Sequence, residues 1–461
     1  MARAAKKESA LTLEEKLQQA LVSVAEQPYK VPGNWCWSKV GVVCSFERGI
    51  TFPASAKETK STLNNIPCLR TANIQDELII NDLIYVDKSY IKGNSAKLTQ
   101  VNDIIMSSAN SRELVGKVSY VTYLPFPMTF GGFVLTIRAK QIISKYLFYF
   151  LRFEFLMGKF IGESTQTTNI ANINTTKLAD YYIPLPPLAE QHRIVSRIES
   201  LFAKLDEAKE KAQAVVDGFE DRKAAILHKA FTGELTAEWR KKHHLFDNGW
   251  ETTSLEKICS SIYDGDHMPP PKSENGIPFL VISNVNTGYL SFENTRFVPQ
   301  EYYDNLSVTR KPALGDILYT IVGSYGIPVV VDVNRPFCFQ RHMALLKPSK
   351  VNTYFLWYQL QGQEFYNKAT EIATGTAQLT VPIKGLRKLS INLPPESEQI
   401  EIVRLLDDFF SKEQIAKEAA KHVIAQIGTM KKSILARAFR GELGTNDPAD
   451  ESAEELLKGI I

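Results

Sequence analysis

From Ile194 onward, apolar side chains recur at alternating steps of four and three: Ile194, Ile198, Leu201, Leu205, Ala208, Ala212, Val215 and Phe219. This is the seven-residue rhythm of a helix that packs lengthwise against another helix. The same rhythm returns at Ile402, Leu406, Phe409, Glu413, Ala416, Ala420, Val423, Ile427, Met430 and Ile434, where only Glu413 is not apolar. The first seam continues less regularly through Arg222 to Ile226. Charged residues such as Lys204, Glu207, Lys211, Lys417 and Lys421 lie between the seam positions. A Pro-Pro pair precedes each seam, where a helix can begin, and Gly233 and Gly441 follow, where helices commonly end. The pattern predicts one unbroken helix in each stretch. Pro187 to Phe231 is 45 residues, or about 67 Å at the standard helical rise. Neither helix can bury its seam alone, so the simplest arrangement is an antiparallel pair.

The two stretches are copies. IPLPPLAEQHRIV…AFTGEL, from Ile183 to Leu235, reappears as INLPPESEQIEIV…AFRGEL, from Ile391 to Leu443, without insertion or deletion. Pro186 maps to Pro394, Glu190 to Glu398, Gln191 to Gln399, Phe231 to Phe439 and Gly233 to Gly441. A long unit seen twice indicates a duplicated module and not a solenoid.

The segments before each helix have a different texture. From Trp35 to Leu185, short apolar runs such as GVVCSF, ELIINDLIYV and KVSYVTYLPF alternate with Gly, Pro, Asn and Ser, which reads as strands and turns. Gln141 to Ile161 reads as a helix whose aromatics fill a core, although a base-stacking platform is the alternative. The landmarks recur from Trp250 to Leu393. Trp35 matches Trp250, Cys44 matches Cys259, Asn73 matches Asn284 and Asp103-Ile104 matches Asp316-Ile317. The loop Ser164 to Ile173 is echoed by Thr374 to Ile383. At the N-terminus, Thr12 and Glu15 form a capping box for a helix reaching about Ala25, with Leu13, Leu17, Ala20, Leu21 and Val24 suited to docking. The acidic sequence after Gly444 is expected to fray.

Composition narrows the class. Of 461 residues, 44% are apolar, enough for sizeable cores, yet no apolar run reaches the 18 or so residues of a membrane span. The charged N-terminus lacks the apolar stretch of a secretory signal. Five scattered cysteines without CxxC spacing argue against a zinc site or disulfide framework and fit a reducing cytoplasm. The net charge of +3 excludes a basic nucleic-acid coat. It is unevenly spread: Lys30 to Leu185 holds 17 Lys and Arg against 11 Asp and Glu, while Asn248 to Asn392 holds 13 against 12. Phosphate-binding, dinucleotide, GxSxG and HExxH motifs are absent, as is the Asn-Pro-Pro-aromatic motif with which adenine methyltransferases grip a flipped base. His267 with Asp264 and Asp266 sits in a turn with no further His or Cys nearby in sequence, so no metal site is expected.

PLPPLAEQHRIV at Pro184 to Val195, its echo NLPPESEQIEIV at Asn392 to Val403, AFTGEL and AFRGEL, and the GNW of Gly33 to Trp35 resemble the DNA-specificity subunit of Type I restriction–modification systems. The resemblance covers nearly the whole chain. It implies an α+β fold with two similar mixed α/β target-recognition domains. Two long helices separate them and form an antiparallel coiled coil with a pseudo-twofold internal repeat. The expected layout is an N-terminal tail and helix (1–29), a first target-recognition domain (30–185) and a first spacer helix (186–240). A second domain (248–392), a second spacer helix (393–444) and a C-terminal tail (445–461) follow. The resemblance also implies a non-catalytic subunit that reads an asymmetric, bipartite target in double-stranded DNA, one half-site per domain. Two modification subunits that bind S-adenosylmethionine would methylate adenine N6, and two restriction subunits using ATP and Mg would cleave. This chain itself would hold no cofactor. Domains on one face of DNA favour separations near one helical turn, about 34–36 Å.

Base reading needs side chains of fixed donor and acceptor geometry on loops of a rigid scaffold. The first domain offers Arg48, Thr51, Gln166, Thr168 and Asn169. The second offers Tyr263, Asp266, His267, Tyr325, Arg341, His342 and Gln378, with Asp266 able to accept from cytosine. For each residue an ordinary polar loop position is the competing reading. A coiled-coil scaffold joining two protein-binding domains is the alternative for the chain as a whole, and an enzyme of unrecognised fold is a weaker third.

Overall fold

A computed structural model describes residues 11–163, 165–167, 170–245, 249–265 and 270–461. The chain divides into two compact units. One is Met1–Lys211 with Val423–Ile461, and the other is Ala212–His422.

The first unit is built on a four-stranded antiparallel sheet in the order Cys44–Arg48, Val134–Ala139, Ile104–Ser107, Val118–Tyr120. A second sheet pairs Asn65–Leu69 antiparallel with Ile84–Asp87 and parallel with Thr129–Phe130. Strands Cys36–Lys39 and Tyr182–Leu185 pair where the domain joins its helix. The second unit repeats this plan. Its four-stranded sheet runs Cys259–Asp264, Met343–Pro348, Ile317–Thr320, Pro328–Val330. Ile277–Leu280 pairs antiparallel with Arg296–Val298 and parallel with Cys338–Phe339. Glu251–Ser254 pairs with Ser390–Leu393. The α+β class and the internal repeat are therefore as the sequence implies. The aromatic helix Ser144–Leu156 buries Tyr146, Phe148 and Phe150, so its rings are core.

The spacer helices supply part of each core. In the first unit, Ile194 and Ile198 from one helix and Leu435, Ala438 and Phe439 from the other join the domain's own apolar residues. In the second unit the repeat-related residues Ile402, Leu406, Leu227, Ala230 and Phe231 do the same. Phe439 meets the rings of Tyr146, Phe150 and Phe153, and Phe231 meets Phe355. The AF(T/R)GEL motif is thus an anchor followed by a stop. Gly233 and Gly441 have φ of +80° and +74°, the left-handed conformation that glycine adopts without steric cost. The helices run antiparallel. Asp206 pairs with Lys431 at 2.6 Å in the first unit, and Phe219 lies 4.1 Å from Lys417 in the second.

Three expectations need correction. The first spacer is not one helix: Leu188–Asp217 is interrupted at Gly218 before Phe219–Phe231, whereas Glu396–Phe439 runs unbroken. The N-terminal helix covers only Leu13–Ala20; Leu17 and Ala20 are buried, but Leu13 and Val24 face solvent. The C-terminal tail is not frayed. Ala453–Ile460 is a helix with Ala453 and Leu457 fully buried in the core that includes Leu17. Asp450 pairs with Arg193 and Asn446 reaches Glu190, so part of the tail's polar sequence bonds the folded unit.

Candidate nucleic-acid interface

The LPP-EQ motif fastens each domain to its helix. Gln191 donates to the Pro186 carbonyl at 3.0 Å and accepts from the Ile143 amide at 2.9 Å, just before the aromatic helix. Gln399 repeats both bonds with Pro394 and Asn352, each at 2.8 Å. The neighbouring glutamates are fully buried but differently answered. Glu190 accepts from the Trp35 indole at 2.7 Å, Asn446 at 2.8 Å and Thr445 at 3.2 Å. Glu398 accepts from Thr236 and the Arg240 guanidinium, each at 2.5 Å. Asp103 and Asp316, the second landmark pair, each accept from a backbone amide three residues before them and pair with a sheet cation, Arg138 or Lys347. Burial pushes the Asp103 carboxyl upward against the opposing pull of Arg138. These bonds make the sheet a rigid platform for the loops at its end.

Arg48 ends strand Cys44–Arg48 with an exposed side chain that has no hydrogen-bond partner among the described residues, and Thr51 is exposed just beyond it. Gln166 lies in strand Thr165–Thr167, which forms a hairpin with Ile170–Asn172 that joins Ala109–Asn110. Thr168, Asn169, Asp266 and His267 fall outside the described residues. Tyr263 is partly exposed beneath the Arg387 guanidinium, 4.7 Å from its ring centre. Tyr325 is almost fully buried, stacked on Tyr366 and bonded to Thr370 at 3.0 Å. Arg341 is exposed and His342 half-buried; burial first, then the Arg341 charge, lowers the His342 pKa and keeps its ring neutral at pH 7. Gln378 is exposed on a loop stitched to Ile321–Gly323 through the Gly323 to Leu379 and Val381 to Ile321 backbone bonds.

Five of these residues, Arg48, Thr51, Arg341, His342 and Gln378, gather around one turn in each unit; the second turn holds two of the sequence candidates, whereas the first turn itself holds none. In the first unit it is the turn Gly131-Gly132-Phe133, with Arg48 and Thr51 alongside and Phe133 63% exposed. In the second it is Gln340-Arg341-His342, with Gln378 nearby through the Ile321 amide, which donates to the His342 carbonyl. The sequence there shows only an aromatic after a Gly-Gly pair, which is no recognised motif, so nothing in it singled out Phe133. The first turn also borders a cleft of about 480 Å³ lined by Thr51, Lys57, Arg70 and Thr71.

The family model for the Type I restriction modification DNA specificity domain matches residues 32–216 and again 248–425, and the chain belongs to this family. It is 28% identical over 430 residues to the Type I restriction enzyme EcoKI specificity subunit of Escherichia coli K12, covering 90% of each chain. To the StySPI specificity subunit of Salmonella potsdam it is 27% identical, again over 90% of each. The crystal structure of the HsdS subunit from Thermoanaerobacter tengcongensis shares its fold, with a TM-score of 0.63 at 21% identity over 91% of this chain and 100% of that one. Among the described residues, no helix is long and apolar enough to cross a membrane.

Proposed function

We propose that this chain is the DNA-specificity subunit of a Type I restriction–modification complex and performs no chemistry itself. It binds double-stranded DNA in the cytoplasm, and each target-recognition domain reads one half-site of an interrupted, asymmetric sequence. Two modification subunits, carrying S-adenosylmethionine, methylate adenine N6 at that target. Two restriction subunits, using ATP and Mg, join them for cleavage. The paired helices set the gap between half-sites.

The observation that carries this reading is the duplication itself. Two domains of one topology are each fixed to the spacer helices by the same Gln bonds and the same Phe anchor, yet expose different side chains. A shared scaffold with divergent loops suits two readers of different sequences.

Assembly with its modification partner, followed by mapping of methylated adenines, tests the proposal. One asymmetric, interrupted sequence is expected, with no methylation or cleavage by the isolated chain. Activity of the chain alone, or methylation without sequence preference, overturns it.

A further inference from the structure

The two turns are held by the same backbone bonds. In the first unit the Gly131 amide donates to the Leu69 carbonyl at 2.9 Å, Val134 to Gly131 at 2.8 Å, Gly49 to Val134 at 3.1 Å and Ser108 to Phe133 at 3.0 Å. In the second unit Gln340 donates to Leu280 at 3.1 Å, Met343 to Gln340 at 3.2 Å, Gly265 to Met343 at 3.3 Å and Ile321 to His342 at 2.9 Å. Each turn is also pressed by a glycine. A Cβ at Gly49 would lie 2.0 Å from the Gly131 carbonyl oxygen, and one at Gly265 would lie 2.3 Å from that of Phe339.

Their side chains have nothing in common. One turn presents bare backbone and an exposed aromatic ring, and the other an amide, a guanidinium and an imidazole. The fold does not demand this difference. A Cβ on Gly131 would meet nothing closer than 3.6 Å, and one on Gly132 nothing closer than 3.5 Å, and neither glycine has positive φ. The Arg341 side chain has no hydrogen-bond or ion-pair partner among the described residues. A backbone fixed this firmly, with side chains that the core does not constrain, is suited to presenting readout groups at a set height.

We propose, resting on the DNA-reading function above, that Gly131-Gly132-Phe133 and Gln340-Arg341-His342 are equivalent specificity-determining turns. Arg341 donates two of its guanidinium N–H groups, one to O6 and one to N7 of a guanine in the second domain's half-site. Phe133 lies against the C5-methyl of a thymine in the first domain's half-site, with the flanking glycines letting the bases approach the backbone. Arginine to guanine is the commonest specific major-groove pairing, and thymine is the base that offers an apolar contact there.

The test uses the chain assembled with its modification partner and a DNA library randomised in both half-sites, with methylated products sequenced. Arg341→Ala should lower guanine discrimination at one position of one half-site by about ten- to a hundredfold and leave the other half-site unchanged. Phe133→Ala should relax a thymine preference in the other half-site without altering the salt dependence of binding. The triple change G131Q/G132R/F133H should bring a guanine preference into the first half-site. Because Arg341 is exposed, its replacement leaves folding intact. An unchanged profile in Arg341→Ala overturns the proposal. So does a uniform loss of affinity with a salt slope reduced by about one, which marks a phosphate contact. If the unaltered complex itself shows no interrupted target, the functional proposal has failed instead.

Discussion

Arg222 and Glu413, the two residues that interrupt the apolar seams of the spacer helices, are bonded to each other. Arg222 Nε donates to Glu413 Oε2 at 2.9 Å and Nη2 donates to the same oxygen at 2.8 Å. Arg222 Nη2 also donates to the Val215 carbonyl at 2.8 Å, next to the break at Gly218. What reads in sequence as two defects is one paired site, placed where polar seam residues can set register in coiled coils. Glu413→Leu alone should lower the melting midpoint, because it leaves the guanidinium without its carboxylate. The double change R222L/E413L should recover or exceed the original midpoint, while assembly with the modification partner becomes less uniform as alternative registers open. A double change no better than the single one would mean that the pair itself stabilises the helices.

The Arg222–Glu413 pair also shows what the sequence could disclose. The seven-residue rhythm, the LPP-EQ echo and the AF(T/R)GEL stop are local signals. They revealed the helices, their pairing and the repeat because each signal depends on residues within a few turns. The break at Gly218 was hidden because the seam continues through it, and what accommodates it is Arg222, whose partner Glu413 lies 191 residues away. The tail was misjudged for a similar reason: acidic composition suggests solvation, but its Asp450 answers Arg193 across 257 residues. In the domains, Asp103 and Asp316 stood out as landmarks, and the structure shows each pinning a turn against a sheet cation. The Phe133 turn carried no motif at all. Its position is set by backbone bonds to Leu69 and Ser108, which no local pattern encodes.

The two buried glutamates should respond differently to loss. Glu398 faces a guanidinium, so Glu398→Ala strands the largely buried Arg240 charge and should cost about 3–5 kcal/mol. Glu190 is met by neutral donors, and Glu190→Ala leaves the Trp35 indole and Asn446 amide unpaired, costing about 2–3 kcal/mol. Hydrogen exchange checks both: protection should fall through 212–422 for the first variant and around Trp35 and 445–450 for the second. Equal effects would show that the cation opposite Glu398 adds nothing.

The C-terminal segment is part of the first unit's core. Leu457→Ala should destabilise that unit by about 2–4 kcal/mol, the usual cost of removing a fully buried leucine side chain. Ending the chain after Gly444 should cost more, since it also uncovers Leu17 and takes away the partners of Arg193 and part of those of Glu190. Thermal unfolding of the truncated chain is the check. A midpoint equal to that of the full chain would show that the segment merely rests on the surface.

Glu154 gives the first unit a pH dependence opposite to that of a salt-bridged carboxylate. It is largely buried on the aromatic helix itself, and burial raises its pKa above the ordinary 4.5, more than the hydrogen bond from Tyr181 at 2.6 Å and the charge of Lys159 lower it. Between pH 4.5 and the raised value, the folded chain holds a proton there that the unfolded chain has released. Stability from this group is therefore fully present below pH 4.5 and is lost as pH rises through the folded value. Glu154→Gln keeps the acceptor for Tyr181 and removes the ionisation. Its stability should match that of the parent below pH 4.5 and exceed it at pH 7, with a flatter profile between. Urea unfolding at a series of pH values reads this directly, and parallel curves for the two proteins across that range would show that Glu154 ionises in the folded state as freely as in the unfolded one.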